Sequence, residues 1–113
     1  MRDCTFCRIA RGEESARVIY QDDEVTAFHD RNPQAPTHVL IVPNEHIENV
    51  NHVTDDDVEL LGKLFVVARQ VAKQESVAEG YRLVVNTGPE AGQSVFHLHV
   101  HLLGGRRLSW PPG

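Results

Sequence analysis

The chain has 113 residues, enough for one domain with a single core and too few for two, so residues 1–113 are expected to form one domain. Its formal net charge of −5 at pH 7, with 11 scattered basic residues, argues against a nucleic-acid groove built from clustered Lys and Arg. No apolar run approaches the roughly 18 residues that cross a bilayer, and the N-terminus is not followed by an apolar signal core. A cytoplasmic protein without membrane or nucleic-acid partners is therefore expected.

The first half of the chain predicts a short helix followed by three strands. Residues 5–11 can form a helical turn. Residues 17–20 and 24–29 flank a cluster of turn residues, a pattern typical of a β-hairpin. A proline-containing loop over residues 30–36 then leads into an almost continuously apolar strand at residues 37–42.

The second half predicts one long helix and two more strands. Thr54 can cap a helix that ends before Gly80, and three aspartates suit its positive N-terminus. Residues 81–86 predict a fourth strand, and residues 87–92 a turn-rich connection to a fifth. Five strands joined mainly by short turns, with one long helix, indicate an α+β fold with an antiparallel sheet. The apolar residues of the helix fall at helical spacing and are expected to cover the sheet: Val58, Leu61, Leu64, Phe65, Ala68, Val71 and Ala72.

The fifth predicted strand, within residues 94–105, carries three histidines at alternate positions. As a β-strand it points His97, His99 and His101 to one face, roughly 6.6 Å apart. The other face is apolar and is expected to join the core through Leu98, Val100 and Leu102.

Three interpretations of this histidine row remain open on the residues alone. The first is a solvated strand face. The second is a metal site, because imidazoles at alternate positions can chelate an ion. The third is a centre for nucleophilic catalysis. Histidine suits the last role because it is largely neutral near pH 7, attacks phosphorus and passes protons to its neighbours. The concentration of imidazoles in five residues argues against chance.

The segment at residues 97–103, His-Leu-His-Val-His-Leu-Leu, resembles the signature of the histidine-triad family of nucleotide hydrolases and transferases. With Gly92-Gln93-Ser94 before it and Gly104-Gly105-Arg106 after it, the chain is most similar to the Hint branch, the nucleoside phosphoramidases. The likeness runs from Phe6 to Gly113. It implies the same α+β fold, a homodimer whose two sheets join, and hydrolysis of purine nucleoside 5′-monophosphoramidates, with an AMP- or GMP-like nucleotide as ligand.

The resemblance also implies roles for individual residues. His99, the middle histidine, corresponds to the nucleophile that forms a nucleotidyl-histidine, with His101, His38 and His97 completing the catalytic set. Asp30 is placed to accept hydrogen bonds from ribose hydroxyls. The residues that match the family's nucleotide-binding positions are Phe6, Ile9, Phe28, His29, Asp30, Asn86, Gly92, Gln93, Ser94 and Trp110. Taken singly, His38 is more typical of a core residue in an apolar strand, the apolar members fit a packed core equally well, and Asp30 fits a turn.

The pair Cys4-x-x-Cys7 suggests metal or redox chemistry in a chain of this kind. Bacterial histidine-triad relatives use such a pair, with two histidines, to hold a structural zinc. Those histidines correspond here to His46 and His97, and Cys2His2 is a closed tetrahedral set suited to structure. If zinc is bound, His97 shapes the strand without taking part in the chemistry. The alternative is two reduced thiols on a short helix.

The tail at residues 106–113 contains the chain's only tryptophan, Trp110, followed by two prolines that prevent a helix. By position alone it is a frayed end. The Hint resemblance implies instead that the tail approaches the partner subunit's active site. Two further functions stay open: hydrolysis of dinucleoside polyphosphates, as in the Fhit branch, and a zinc-containing nucleotide-binding module with little turnover.

Overall fold

A computed structural model describes residues 4–113. Residues 1–3, at the N-terminus for which no signal core is expected, lie outside the described residues. None of the described helices is long and apolar enough to cross a membrane. The elements in chain order are α1 (Thr5–Ala10), β1 (Val18–Gln21), β2 (Val25–His29), β3 (Thr37–Pro43), α2 (Val58–Gln74), β4 (Tyr81–Val84) and β5 (Val100–Gly104), with 3₁₀ turns at Val50–His52, Asp55–Asp57 and Pro89–Ala91.

The five strands form one antiparallel sheet in the order β1-β2-β3-β5-β4, which confirms the predicted α+β fold. The strand β3 is buried along its whole length and alternates between two cores. Val39 and Ile41 pack on the face that α2 covers, whereas Leu40 and Val42 pack on the opposite face, with Phe6 and Ile9 of α1. Because strand side chains alternate, His38 shares the α1 face, and His101 joins it as the cross-strand partner of Leu40.

The histidine segment is a strand only from Val100 onward, which corrects the predicted length of the fifth strand. The last pair of the ladder between β3 and β5 joins Ile41 to Val100. The next residue of β3 whose N–H would face β5 is Pro43, which has no N–H to donate. The chain leaves the sheet there, and the N–H of Leu98 donates to the carbonyl of Ile47 at 2.6 Å. The apolar alternation still holds, because Leu98 and Val100 are buried in the α2 core.

The helix α2 is shorter than predicted at both ends. Its first predicted turn is a 3₁₀ turn, in which Thr54 and Asp57 form a reciprocal capping box. It ends before Ser76, which takes a left-handed conformation with φ of 63°. Two of its predicted core residues, Val58 and Phe65, are 65% and 48% exposed, so the covering face of the helix is narrower than its apolar pattern.

The turn between β1 and β2 depends on one carboxylate. Asp22 Oδ1 accepts the backbone N–H groups of Glu24 and Val25 at 2.8 and 2.9 Å, and Oδ2 accepts the Tyr20 hydroxyl at 2.5 Å and Lys63 Nζ at 2.8 Å. Burial raises the pKa of Asp22, but the hydrogen bonds from Lys63, Tyr20 and the two N–H groups outweigh burial and hold it well below the ordinary 3.8.

Replacing Asp22 with asparagine is expected to lower the free energy of unfolding at pH 7 by roughly 1 kcal/mol, since it removes a hydrogen-bonded charge that is partly screened by solvent. A depressed carboxyl pKa stabilises the fold above the unfolded-state value near 3.8, and that contribution is lost as the pH falls below it. The difference between wild type and Asp22→Asn in urea unfolding should therefore narrow below about pH 4. The matched variant Asp23→Asn removes a charge at the adjacent position. An equal decrease in the free energy of unfolding of that variant would contradict the assignment to Asp22.

Candidate active site and metal centre

A cavity of about 980 Å³ lies on the α1 face of the sheet, bounded by α1 and the loop between β2 and β3. The predicted residues that line it are Phe6, Ile9, Phe28, His29, Asp30, His38, Ser94, His99 and His101. The sheet and α1 therefore bring together an apolar slot, a carboxylate and four imidazoles from distant parts of the chain.

The cavity also has walls that sequence reasoning missed. Two arginines and most of the β2–β3 loop contribute, and the complete additional set is Ser15, Ala16, Arg17, Arg31, Asn32, Pro33, Gln34, Leu40 and Val95. The proline-containing loop was recognisable as a loop, but nothing in its pattern indicated that it closes one side of a site. The alternation of β3 was the available signal for Leu40, because it follows His38 by two positions.

Within the described chain, five of the predicted catalytic and nucleotide-binding residues lie outside the cavity lining: Asn86, Gly92, Gln93, His97 and Trp110. The Gln93 side chain is buried and holds its own loop: Oε1 accepts the N–H of Gly88 at 2.8 Å and Nε2 donates to the carbonyl of Glu48 at 2.8 Å. Its side-chain amide is therefore hydrogen-bonded within the protein.

Gly92 and Asn86 lie next to each other beside the same loop. Gly92 has a φ of +100°, a left-handed conformation that favours glycine, and a Cβ added there would lie 3.8 Å from Asn86 Nδ2. Of the predicted Gly92-Gln93-Ser94 donors, Ser94 is the one that lines the cavity.

The orientation of His99 follows from a backbone hydrogen bond. Its Nδ1 lies 2.6 Å from the carbonyl oxygen of His97, which can only accept, so Nδ1 carries the proton. In the neutral ring, Nε2 then holds the lone pair. The Phe6 ring stands edge-on to the imidazole, with centroids 5.1 Å apart, and helps to hold it in place. His99 thus lines the cavity as a buried imidazole with an unprotonated Nε2.

His101 and His38 form a connected pair beside this ring. The centroid of His101 lies 4.8 Å from that of His99, and its Nδ1 lies 3.0 Å from His38 Nε2. Asp30 Oδ2 is 3.4 Å from the same His38 nitrogen. Four chemistry-bearing side chains therefore follow one another along the wall of the cavity.

Burial keeps these three imidazoles neutral near pH 7. It lowers the pKa of His101 to about 4, with further lowering by the neighbouring His99 and His38 rings. It also lowers the pKa of His99 and of His38, in each case against an opposing effect of the Asp30 charge. A neutral imidazole is the form that can attack phosphorus or donate one hydrogen bond while accepting another.

The second cluster contains the predicted metal ligands Cys4, Cys7, His46 and His97, whose donor atoms all lie within 4.8 Å of one another. The Sγ of Cys4 is 3.3 Å from His97 Nδ1, and the Sγ of Cys7 is 3.4 Å from His46 Nδ1. These separations approach the roughly 3.6 Å edge between sulfur and nitrogen in a tetrahedral zinc site. Both cysteines are thiols outside any disulfide. The donor set therefore fits a structural zinc.

A backbone hydrogen bond orients the His97 ring for metal binding. Its Nε2 lies 2.8 Å from the carbonyl oxygen of Pro43, so Nε2 carries the proton and Nδ1 faces the cysteines with a lone pair. Burial lowers the pKa of His97 to about 4, which keeps the ring neutral. The first histidine of the row thus turns away from the cavity, while its carbonyl orients His99.

Known proteins share the sequence and the fold of this chain. Residues 11–108 match the HIT domain. The chain is 49% identical over 110 residues to a 14 kDa zinc-binding protein from Zea mays, covering 96% of this chain and 86% of the relative. A HIT family hydrolase from Legionella pneumophila has 51% identity and a TM-score of 0.96, covering 98% of this chain and all of that one. A histidine triad protein from Clostridium difficile has 39% identity and a TM-score of 0.93, covering 96% of each chain. With this fold and this histidine site, the chain belongs to the HIT domain family.

Proposed function

We propose that the protein hydrolyses purine nucleoside 5′-monophosphoramidates through a nucleotidyl-histidine intermediate. The observation that carries the proposal is the state of His99: a buried ring whose Nδ1 proton is held by the His97 carbonyl and whose Nε2 is free to attack. The similarity to the HIT family hydrolase from Legionella pneumophila supports the reaction class.

The proposed reaction has two steps. His99 Nε2 attacks the α-phosphorus as the P–N bond breaks, and the amine leaves with a proton that is taken up from solvent with the substrate and relayed by His101. Water then attacks the phosphorus of the phosphohistidine, gives up one proton to solvent through His101, and releases the nucleoside monophosphate with neutral His99. The Ser94 hydroxyl at the cavity wall is available to donate to the phosphoryl oxygens, where negative charge develops.

The proposed nucleoside end of the cavity combines an apolar slot with one carboxylate. Phe6 and Phe28 meet edge to face, with ring centroids 5.3 Å apart, and form a surface against which a base can pack. Asp30 Oδ1 accepts the N–H of Asn32 at 2.8 Å, which holds the carboxylate at the wall of the cavity. We propose that Asp30 binds the ribose hydroxyls.

Replacing Asp30 with asparagine is expected to raise KM for an adenosine phosphoramidate by about 10- to 100-fold, because charge-assisted hydrogen bonds to the ribose are weakened. A 2′,3′-dideoxyadenosine phosphoramidate provides the matched test. Wild type should lose affinity for this analogue, whereas Asp30→Asn should discriminate little between the two sugars. Equal discrimination by both proteins would show that Asp30 does not bind the ribose.

Steady-state hydrolysis of adenosine and guanosine 5′-phosphoramidates, compared with a dinucleoside polyphosphate, tests the proposed function. We expect faster release of amine from the phosphoramidates. Faster cleavage of the dinucleoside polyphosphate would favour the Fhit-like alternative. Tight binding of AMP with negligible turnover of every substrate would favour a nucleotide-binding module.

We also propose that the Cys4, Cys7, His46 and His97 cluster holds a structural zinc in a cytoplasmic protein. Thiolate ligation needs reduced cysteines, which a cytoplasmic location maintains. The zinc would stabilise the start of α1 against the His97 segment, and the donor-atom separations given above support this assignment.

The further partner we propose is a second copy of the chain, with the two sheets joined through β4. This strand lies at the edge of the sheet, where backbone groups are available for pairing. The helix α2 also exposes Phe65 and Val66, whose exposed fractions are 48% and 44%. The tail lies against β4, since Arg82 donates to the carbonyl of Ser109 at 2.8 Å and stands over the ring of Trp110, which is 80% exposed. A tail held there would extend toward the partner's cavity; a monomer by sedimentation equilibrium would overturn the dimer.

A further inference from the structure

The loop between β2 and β3 makes a backbone contact with the histidine pair. The N–H of Gln34 donates to His38 Nδ1 at 3.0 Å. The carbonyl of the same residue accepts Arg106 Nε at 3.0 Å, which ties the loop to the chain after β5. Gly105 packs so closely that an added Cβ would lie 2.9 Å from Pro36 Cβ. The Gln34 amide is therefore held in position from two sides.

This amide determines where the protons lie in the pair. A backbone N–H can only donate, so His38 Nδ1 must hold a lone pair and the neutral ring carries its proton on Nε2. That proton faces His101 Nδ1 at 3.0 Å, with Asp30 Oδ2 at 3.4 Å as its second neighbour. His101 Nδ1 is then an acceptor, and the proton of the neutral His101 ring lies on Nε2.

We propose that the backbone N–H of Gln34 is a positioning group that sets the proton order of His38 and His101 and so makes His101 present an N–H to the reacting phosphoryl group. The inference rests on the proposed function for its consequence, but not for its geometry. Gln34 acts through His38, which in turn acts through His101. A single peptide group thereby decides whether the nitrogen beside His99 donates or accepts.

The opposite proton order is disfavoured by the same contact. A proton on His101 Nδ1 would require a lone pair on His38 Nε2, and the neutral His38 ring would then place its proton on Nδ1, facing the Gln34 N–H. Two donors would oppose each other in a partly buried site. The lowered pKa values of His101 and His38 agree with neutral rings in this arrangement.

Nitrogen NMR of 15N-histidine-labelled protein, purified with its metal, measures the proton order directly. In wild type we expect a protonated, pyrrole-type Nε2 and an unprotonated, pyridine-type Nδ1 for both His38 and His101. Gln34→Pro removes the N–H, and Gln34→Ala keeps it while removing the side chain, so the two variants form a matched pair. The tautomer of His38 should be unchanged in Gln34→Ala and become mixed in Gln34→Pro.

Kinetics provide the second measurement. The kcat of Gln34→Pro for an adenosine phosphoramidate should be about 10-fold or more below that of Gln34→Ala, with similar KM, since proton placement and not nucleotide binding is altered. Arg106→Ala, which loosens the loop without removing the N–H, should show a smaller change in the same direction.

A protonated His38 Nδ1 in wild type overturns the proposal without any variant, as does an unchanged His38 tautomer in a folded Gln34→Pro protein. The predicted tautomers in a protein that turns over no phosphoramidate would leave this inference standing and count against the proposed function alone.

Discussion

Replacing His99 with alanine is expected to lower the hydrolysis of adenosine 5′-phosphoramidates by at least about 10³-fold, because no other group replaces a lost nucleophile. The unprotonated Nε2 of His99 is the atom we expect to carry the nucleotide. Rapid quenching of wild type with a labelled substrate should therefore trap a phosphohistidine that is absent from the variant. Binding of AMP should persist in His99→Ala, since the apolar slot and Asp30 are untouched.

The control for this experiment is His52→Ala, which removes an exposed histidine outside the cavity lining. It should retain wild-type turnover. Equal, negligible rates in wild type and His99→Ala would contradict the hydrolase proposal, and the histidines would then have to be explained as a binding surface. Full activity in His99→Ala would reject this residue as the nucleophile.

The largest effect on stability is expected from loss of the metal centre. His46→Ala should reduce the zinc content from about one ion per chain to none and lower the Tm by about 10 °C or more, because binding free energy at a structural site contributes directly to folding. Chelation should produce a similar decrease in wild type and little further change in the variant. Metal analysis and thermal unfolding on the same samples measure both effects.

His52→Ala again provides the matched control, since His52 lies six positions from His46 and is not one of the four clustered donors. It should retain zinc and the wild-type Tm. Wild-type protein without zinc, or equal zinc content in the two variants, would remove the metal centre from the proposal. His99 would be unaffected, because its orientation depends on the carbonyl of His97 and not on its ring.

The histidine segment shows which structural features sequence periodicity alone could predict. The alternation of apolar residues correctly predicted that Leu98, Val100 and Leu102 face the core, since side chains on either side of an extended segment must face different environments. It did not predict that the strand begins at Val100. That boundary depends on Pro43 and on the carbonyl of Ile47, both far away in sequence.

The cysteine pair shows the same limit for the site. The Cys4-x-x-Cys7 spacing indicated metal or redox chemistry, and the family resemblance suggested His46 and His97 as the other ligands. The spacing alone could not select those histidines among the seven in the chain. Only the fold brings their nitrogens to 3.3–3.4 Å from the cysteine sulfurs.

The sequence by itself determined the types of element, the antiparallel α+β class and the inventory of chemical groups, because these follow from local periodicity, turn residues and side-chain chemistry. The tertiary structure decided which histidine faces the metal ligands, which faces the cavity and where each proton lies. Those properties depend on contacts such as that between His38 and His101, 63 residues apart, and between the Gln34 amide and His38. Which ring nitrogen of a histidine carries the proton depends on its hydrogen-bond partners, and the fold alone brings those partners into contact.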